Sequence, residues 1–339
     1  MTRQLATIKR IDNIEPIEGA DLIQVATLGG WKVVVKKDEY KIGDLAVYFE
    51  IDSWVPTTLA AFLSKDHAPR TYNGVSGERL RTVRLRKQIS QGLLLPLRPT
   101  CESLDIELTE GTDLTEALNI QKYEQPVDAS LAGFVQGVFP SFVPRTDQPR
   151  IQNLAKELAE WQAQDLTWTA TEKCEGSSFT AYVHNSDFNI CSRNYILKED
   201  ENNTMWATAF KYNLREKLLA LNRNIALQAE IIGPGIQGNI YKLQSFQLEV
   251  FDIYDIDAGK YLLPADKDEV INALGMKSVP VLTTSYNLAG KTMSDLLQFA
   301  EGKTVVSTVG CEREGVVFNC NELDTSFKVI SNKYLIKQQ

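Results

Sequence analysis

From residue 4 to about 118 the chain alternates short apolar runs with turn signals. LATIKRIDNI, DLIQVATL, WKVVVKK, LAVYFEI, LRTVRLRK and GLLLPL are rich in Val, Ile, Leu and Tyr, which predicts short strands. Glu18-Gly19, Gly29-Gly30, Ile42-Gly43-Asp44 and Tyr72-Asn73-Gly74 punctuate them. Strands at this spacing predict a small β-barrel, closed or partly open, over residues 1–118, with a β-sandwich as the alternative. Residues 119–150 hold Pro126, Pro140, Pro144 and Pro149 with little periodicity. This predicts a linker over 119–145 and a second domain over 146–339.

The second half mixes periods. Ile151, Leu154, Leu158 and Trp161 recur at helical intervals in IQNLAKELAEWQAQ. TWTATEKC, SFTAYVHN, NIALQAEII and FQLEVFDIYDI read as strands. TMWATAFKYNLREKLLALN and MSDLLQFAEG read as helices, the second with Ser294 as its N-cap. The fold class is therefore α+β, a small barrel followed by a mixed domain, rather than a regular βαβ alternation.

Composition narrows the function. The 339 residues are 43% hydrophobic and 24% charged, ordinary for a globular protein, and no apolar run reaches membrane-span length. The first residues lack the apolar core of a signal peptide, which predicts a cytoplasmic or nuclear location. Five cysteines at irregular spacing, with no C-x-x-C, argue against disulfides and a zinc site, and two histidines leave little room for a His-based triad. The net charge of −8 means that any grip on nucleic acid must come from a local basic patch.

Some motifs mislead. Gly302-Lys303-Thr304 and Gly290-Lys291-Thr292 resemble the end of a P-loop, but Leu297 and Ser285 stand where its first glycine is needed. Gly233-Pro234-Gly235-Ile236-Gln237-Gly238 matches G-x-G-x-x-G, yet too little chain separates it from the next strand for the helix a dinucleotide site needs.

The informative set is ordered: Glu172-Lys173-Cys174-Glu175-Gly176, Ser192-Arg193-Asn194, Gln228-Ala229-Glu230, Val250-Phe251-Asp252, Glu314-Gly315-Val316-Val317 and Phe327-Lys328-Val329-Ile330-Ser331. This order resembles the covalent nucleotidyltransferases, the superfamily of polynucleotide ligases and mRNA-capping enzymes. Their pattern is K-x-[DE]-G, an acid ending a mid-domain strand, E-G-[IV]-V and a last lysine motif. Thr146-Asp147-Gln148-Pro149-Arg150-Ile151-Gln152-Asn153 and Gly233-Pro234-Gly235-Ile236-Gln237-Gly238-Asn239 are similar to ATP-dependent RNA ligases that place an OB-type barrel first, sometimes grouped as the fifth RNA ligase family. DNA ligases usually carry their OB module after the catalytic domain.

The resemblance implies an OB-like barrel followed by an α+β, ATP-grasp-like nucleotidyltransferase domain. It also implies an RNA ligase that takes ATP, a divalent cation (Mg²⁺ or Mn²⁺) and RNA ends or a nicked RNA duplex, and acts as a monomer. Lys173 becomes the nucleophile, and Glu230, Glu314 and Lys328 act in catalysis. Glu175, Glu230 and Glu314 hold the metal largely through water. Arg150, Arg193 and Gly176 serve the nucleotide, Phe251 stacks on adenine, and Glu172 accepts from its amine. The chain departs from a final K-x-K motif, having Ile330 in place of the second lysine, so Lys333 is the substitute considered.

The chemistry requires these residue types. A lysine near its ordinary pKa of about 10.4 is protonated at neutral pH and cannot attack phosphorus. Bare carboxylates raise that pKa further, whereas a divalent cation depresses it. Lys328 would face the α-phosphate from the other side. Read singly, Lys173 is a solvated lysine, Glu230 and Glu314 are strand-end acids, Phe251 is core and Ser192-Arg193 is a turn. The ordered set favours chemistry for Lys173, Glu230, Glu314 and Lys328. Both readings stay open for Phe251, Arg150, Arg193 and Glu172.

Arg79-Leu80-Arg81-Thr82-Val83-Arg84-Leu85-Arg86-Lys87 is the strongest basic run. On a strand Arg84 and Arg86 share one face, opposite Val83 and Leu85, suited to tracking RNA phosphates. Arg79 and Arg81 have the opposite parity, which predicts a bulge or turn near residue 82. A charged edge strand is the competing reading. Within the superfamily the alternatives are a DNA ligase or a capping guanylyltransferase; outside it, a non-catalytic OB-fold RNA-binding protein.

Overall fold

The computed structural model describes residues 3–65, 67–124 and 133–337. The chain forms two compact units. One comprises Met1–Pro126 with Ile151–Lys156 and Leu335–Gln339, and the other Val127–Arg150 with Glu157–Tyr334. The expected linker, 119–145, is thus divided: Gln121–Lys122 pairs with Ser53–Pro56 in the first unit, and Val135–Val138 pairs with Tyr195–Leu197 in the second. Its middle, 125–132, lies outside the described residues.

The first unit is built from open sheets rather than a closed barrel. Ala6–Arg10, Leu45–Phe49 and Leu93–Pro96 form one antiparallel sheet, and Asn13–Pro16, Ile23–Leu28 and Trp31–Lys36 form a meander. Alternation explains the meander: Trp31, Val33 and Val35 are buried while Lys32 and Lys36 face solvent. Residues 151–156 belong here because Asn153 accepts from the Trp31 indole at 3.0 Å and donates to Glu50 at 2.9 Å. That engagement also shortens the expected helix over 151–164. A 3-10 turn occupies Ile151–Asn153 and the helix runs only over Ala155–Gln162.

The basic run does not form one strand. It breaks at Leu80–Arg81, between Val75–Arg79 and Thr82–Leu85, and then turns into Gln88–Gln91 through Arg86 and Lys87, both at positive φ. Arg86 therefore sits in the hairpin turn, not in line with Arg84 on a strand face. Arg84 Nε donates to the Lys87 carbonyl at 3.1 Å. Val83 and Leu85 are 40% and 43% exposed, so the hairpin buries neither face completely.

Among the described residues the second unit has two sheets, antiparallel except where Lys277–Ser278 pairs parallel with Gln247–Asp255. In the larger, Ser177–His184, Ile225–Ile232 and Gln247–Asp255 are central neighbours, and one apolar face packs on helices Thr204–Lys211, Leu214–Ala220 and Pro264–Ala273. The two shorter helices replace the single one expected over 204–222. Asn213 takes the left-handed conformation at φ 53°, which asparagine tolerates, and breaks the ladder there. In the smaller sheet, Trp168–Lys173 lies between Val281–Tyr286 and Gly315–Cys320, and Thr325–Ile330 closes the far edge.

Helix Met293–Ala300 starts at Thr292, not Ser294. The Thr292 hydroxyl accepts from Asp295 N–H and the Asp295 carboxylate accepts from Thr292 N–H, a capping box. Gly233–Gly238 forms turns and opens no helix, so the glycine-rich stretch has no phosphate-binding helix end. Among the described residues no helix is long and apolar enough to cross a membrane.

Trp161, Trp168, Phe318 and Phe327 pack as one aromatic stack beneath the smaller sheet, with Phe318 and Phe327 centroids 4.9 Å apart. Phe327 fixes the strand that presents Lys328 on its other face. Phe327→Ala should cost the second unit about 3–5 kcal/mol of stability, read as an earlier urea transition.

Candidate active site

Lys173 is the last residue of its strand and pairs in register with Gly315, so Glu314 stands beside it. The ammonium lies 2.7 Å from Glu314 Oε2, with both side chains largely buried. Glu230, near the end of Ile225–Ile232, is opposite Ser178 and close enough to feel Lys173, Glu314 and Arg193. Lys328 is opposite Val317 on the neighbouring strand, its N–H donating to the Pro149 carbonyl at 2.9 Å, and Arg150 bridges to it. Residues far apart in sequence thus meet at one end of two sheets.

Two glycines make this approach possible. A Cβ on Gly176 would lie 2.3 Å from the Ile231 carbonyl and 2.8 Å from Glu230 Cγ. A Cβ on Gly315 would meet the Val329 carbonyl at 2.2 Å. The glycine after the acid in each motif is required by strand packing, whatever it does for a nucleotide.

Electrostatics set the site under tension. Burial alone would lower the Lys173 pKa, but Glu314 and Glu230 outweigh it and hold the amine above its ordinary value. Burial pushes the Glu230 carboxyl up to about 7, with Lys173 opposing and Glu314 reinforcing the shift. Lys328 moves the other way: burial, then Lys173 and Arg150, bring it down to about 7. The resting Lys173 amine is protonated and ion-paired with Glu314.

The remaining candidates have definite partners. Arg193 makes a bidentate ion pair with Asp147 at 2.8 and 2.7 Å. Phe251 packs in the cluster of Cys174, Ile232, Tyr241 and Val279. Glu172 is buried, and its oxygens accept from the Thr304 hydroxyl at 2.5 Å and Val305 N–H at 2.8 Å, pinning that loop. Glu175 turns to Tyr334, whose hydroxyl donates to it at 2.9 Å. Glu230 and Glu314 thus both act on the Lys173 amine, whereas Glu175 is engaged by Tyr334. Among the described residues no three His, Cys, Asp or Glu side chains are grouped for a metal ion. Lys333 is 60% exposed and pairs with Glu301 at 2.8 Å, so the structure gives the substitute lysine a different partner.

Sequence reasoning missed Tyr241 and Tyr334, which bond to Glu175 in the turn after Lys173, and Thr304 and Arg313, which fix the loop over Glu172. Arg313 donates to the carbonyls of Phe299, Ala300 and Glu301. None of these has a spacing signal, although Thr304 stands in the Gly302-Lys303-Thr304 segment.

Comparison with known proteins agrees with this geometry. An OB-fold domain model matches residues 5–97, and an RNA ligase model matches residues 166–330. A comparison with curated proteins finds no match. Among solved structures, an apo aspartate-to-alanine variant of Naegleria gruberi RNA ligase is 41% identical, with TM-score 0.88 over 98% of this chain and 97% of that one. A lysine-to-alanine variant of the same enzyme with ATP and Mn is 40% identical, with TM-score 0.89 over 99% of each chain. The form with PPi is also 40% identical, with TM-score 0.87 over 98% of each. These likenesses define a class of enzymes that join polynucleotide ends from a lysine-centred, OB-first chain. Within that class, the protein belongs to the RNA ligase family.

The Lys328 environment carries a pH signature. Its folded pKa lies below the unfolded value, so the stability it contributes above pH of about 10.5 is lost as pH falls through about 7. Lys328→Met should therefore unfold at higher temperature than wild type at pH 6, the advantage shrinking toward pH 10.

Proposed function

We propose that this protein is an ATP-dependent RNA ligase in which Lys173 carries AMP between ATP and an RNA 5′ end. The observation that carries this reading is the Lys173 amine, 2.7 Å from Glu314, beside Glu230 and on the same sheet end as Lys328. In the first step the amine loses its proton and attacks the α-phosphorus, an N–P bond forms and pyrophosphate leaves. AMP then passes to an RNA 5′-phosphate, freeing the lysine. Finally a 3′-hydroxyl attacks that activated end, forming the phosphodiester and releasing AMP. Lys328 offsets charge developing on phosphate oxygens.

The donor set fits a divalent cation. Burial, reinforced by the neighbouring Glu314 charge, lifts the Glu230 carboxyl to about 7, and a cation held there would offset both. Glu230 and Glu314 would hold Mg²⁺ or Mn²⁺, with Glu175 reaching it through water, as the slow dehydration of Mg²⁺ favours. Such an ion supplies charge neutralisation at the phosphate and a lower lysine pKa. Solved variants of the Naegleria gruberi enzyme include, in chain order, replacements of a lysine, an aspartate, two glutamates and a second lysine, several with ATP or AMP and Mn. Lys173, Glu175, Glu230, Glu314 and Lys328 run in the same chemical order here.

Arg150, beside Lys328, and Arg193, beside Glu230, are assigned to the nucleotide's ribose and phosphates, and Phe251 to the adenine face. Gly176 lets the nucleotide approach the nucleophile turn. Glu172 supports the base pocket by holding Thr304 and Val305, and an adenine amine would compete for its oxygens. Lys333, engaged by Glu301, is given no part. The substrates are RNA ends or nicked RNA duplexes, and the protein works as a monomer in the cytoplasm or nucleus. Its five free cysteines suit such a reducing compartment.

Incubation with ATP and Mg²⁺ should add the mass of AMP to the Lys173 peptide, and Lys173→Met should abolish the adduct. An adduct from GTP alone would instead mark a capping guanylyltransferase, and no adduct at all a non-catalytic RNA-binding protein. The Arg84 and Arg86 hairpin is assigned to RNA phosphates. Replacing both with alanine should weaken RNA binding and reduce the slope of log K against log salt by about 1–2; an unchanged salt profile rejects that assignment.

A further inference from the structure

The chain passes from the smaller sheet to the larger one directly after Lys173. Lys173 ends the strand paired to Gly315, Ser177 opens the strand paired to Ile231, and only Cys174, Glu175 and Gly176 lie between. Backbone groups in this crossing have no place in either ladder. One loop takes two of them: Tyr241 Oη accepts from Glu175 N–H at 2.7 Å, and Gln237 Nε2 donates to the Gly176 carbonyl at 3.2 Å. Both side chains come from the glycine-rich stretch after the Glu230 strand, residues 233–241, which opens no helix. The loop is braced internally. Its turns close through Ile236 N–H to the Gly233 carbonyl at 3.1 Å and Asn239 N–H to the Ile236 carbonyl at 3.0 Å. Asn239 also clamps Leu243, donating to its carbonyl at 3.0 Å and accepting from its N–H at 3.1 Å. Tyr241 is buried in one apolar cluster with Cys174, Ile232 and Val279.

We propose that residues 233–241 form a latch on this crossing, in which Tyr241 and Gln237 are positioning residues that fix the Lys173 end of the smaller sheet against the Glu230 end of the larger. The inference rests on Lys173 being the nucleophile. Lys173 and Glu314 belong to one sheet and Glu230 to the other, so the crossing sets how the amine sits relative to Glu230. The Glu230 strand also meets the crossing directly, since a Cβ on Gly176 would lie 2.8 Å from Glu230 Cγ. That strand runs straight into residues 233–241, so the element that carries the acid also carries the latch. Both bonds are made to the backbone, and the latch acts whatever the Glu175 side chain holds. A buried N–H left without its acceptor turns toward another, and a small displacement of an attacking atom is costly in rate.

The test separates the step in which Lys173 attacks from the step in which it does not. Single-turnover AMP transfer from ATP to Lys173 is measured beside sealing of RNA that already carries a 5′-adenylyl group, where the 3′-hydroxyl attacks. Tyr241→Phe keeps the ring and removes the acceptor. It should slow AMP transfer to Lys173 roughly tenfold, with ATP half-saturation unchanged. Gln237→Ala removes an exposed bond and should slow the same step about twofold. Sealing of the pre-adenylylated RNA should keep its wild-type rate in both variants. A wild-type rate of AMP transfer in Tyr241→Phe overturns the proposal. So does an equal slowing of both reactions, which would mean damage to the fold rather than a misplaced nucleophile. If wild type itself gains no AMP on Lys173, the nucleophile assignment fails instead, and the two failures are distinguishable in one experiment.

Discussion

Everything in the catalytic unit turns on one ion pair between an amine that must become neutral and the acids that keep it charged. Lys173 is buried enough to favour the neutral form, yet Glu314 and Glu230 win and the resting amine keeps its proton. Burial acts in opposite directions on the neighbours, lifting Glu230 and depressing Lys328, with Glu314 adding to the first shift and Lys173 to the second. A site in this state is poised rather than active. In the proposed mechanism a cation held by Glu230 and Glu314 would offset both carboxylates and lower the lysine's pKa.

The fold maintains that tension through backbone geometry. Lys173 and Glu314 meet because their strands are adjacent and in register at Gly315, and Glu230 comes in on a strand that passes Gly176 too closely for any side chain there. Beneath the smaller sheet the aromatic stack around Phe327 fixes the strand that carries Lys328. On the strand that carries Lys173, the Glu172 carboxylate accepts from Thr304 and Val305. Displacing any of these layers moves a charge in the site.

The OB-type unit follows a different logic. Its cores come from strict alternation, as in Trp31–Lys36, and its cations are carried on the exposed hairpin around Arg86-Lys87. An acidic chain can present a basic surface locally because phosphate binding depends on the local charge and not on the net charge.

The sequence by itself determined the element types and the order of chemical groups. Strand alternation is local, and the K-x-E-G and E-G-V-V glycines record close approaches that no other residue permits. It therefore disclosed the α+β class, the OB-first order and the chemical types at Lys173, Glu230, Glu314 and Lys328. Only the tertiary structure decided which neighbours those groups keep. Asn213 splits a helix whose apolar period continues past it, and Arg86 falls in a turn where parity placed it on a strand. Glu175 goes to Tyr334 and Lys333 to Glu301 because those partners come from chain segments brought near by folding. Spacing along a chain records periodicity, and carries no trace of a hydrogen bond made between residues 159 positions apart.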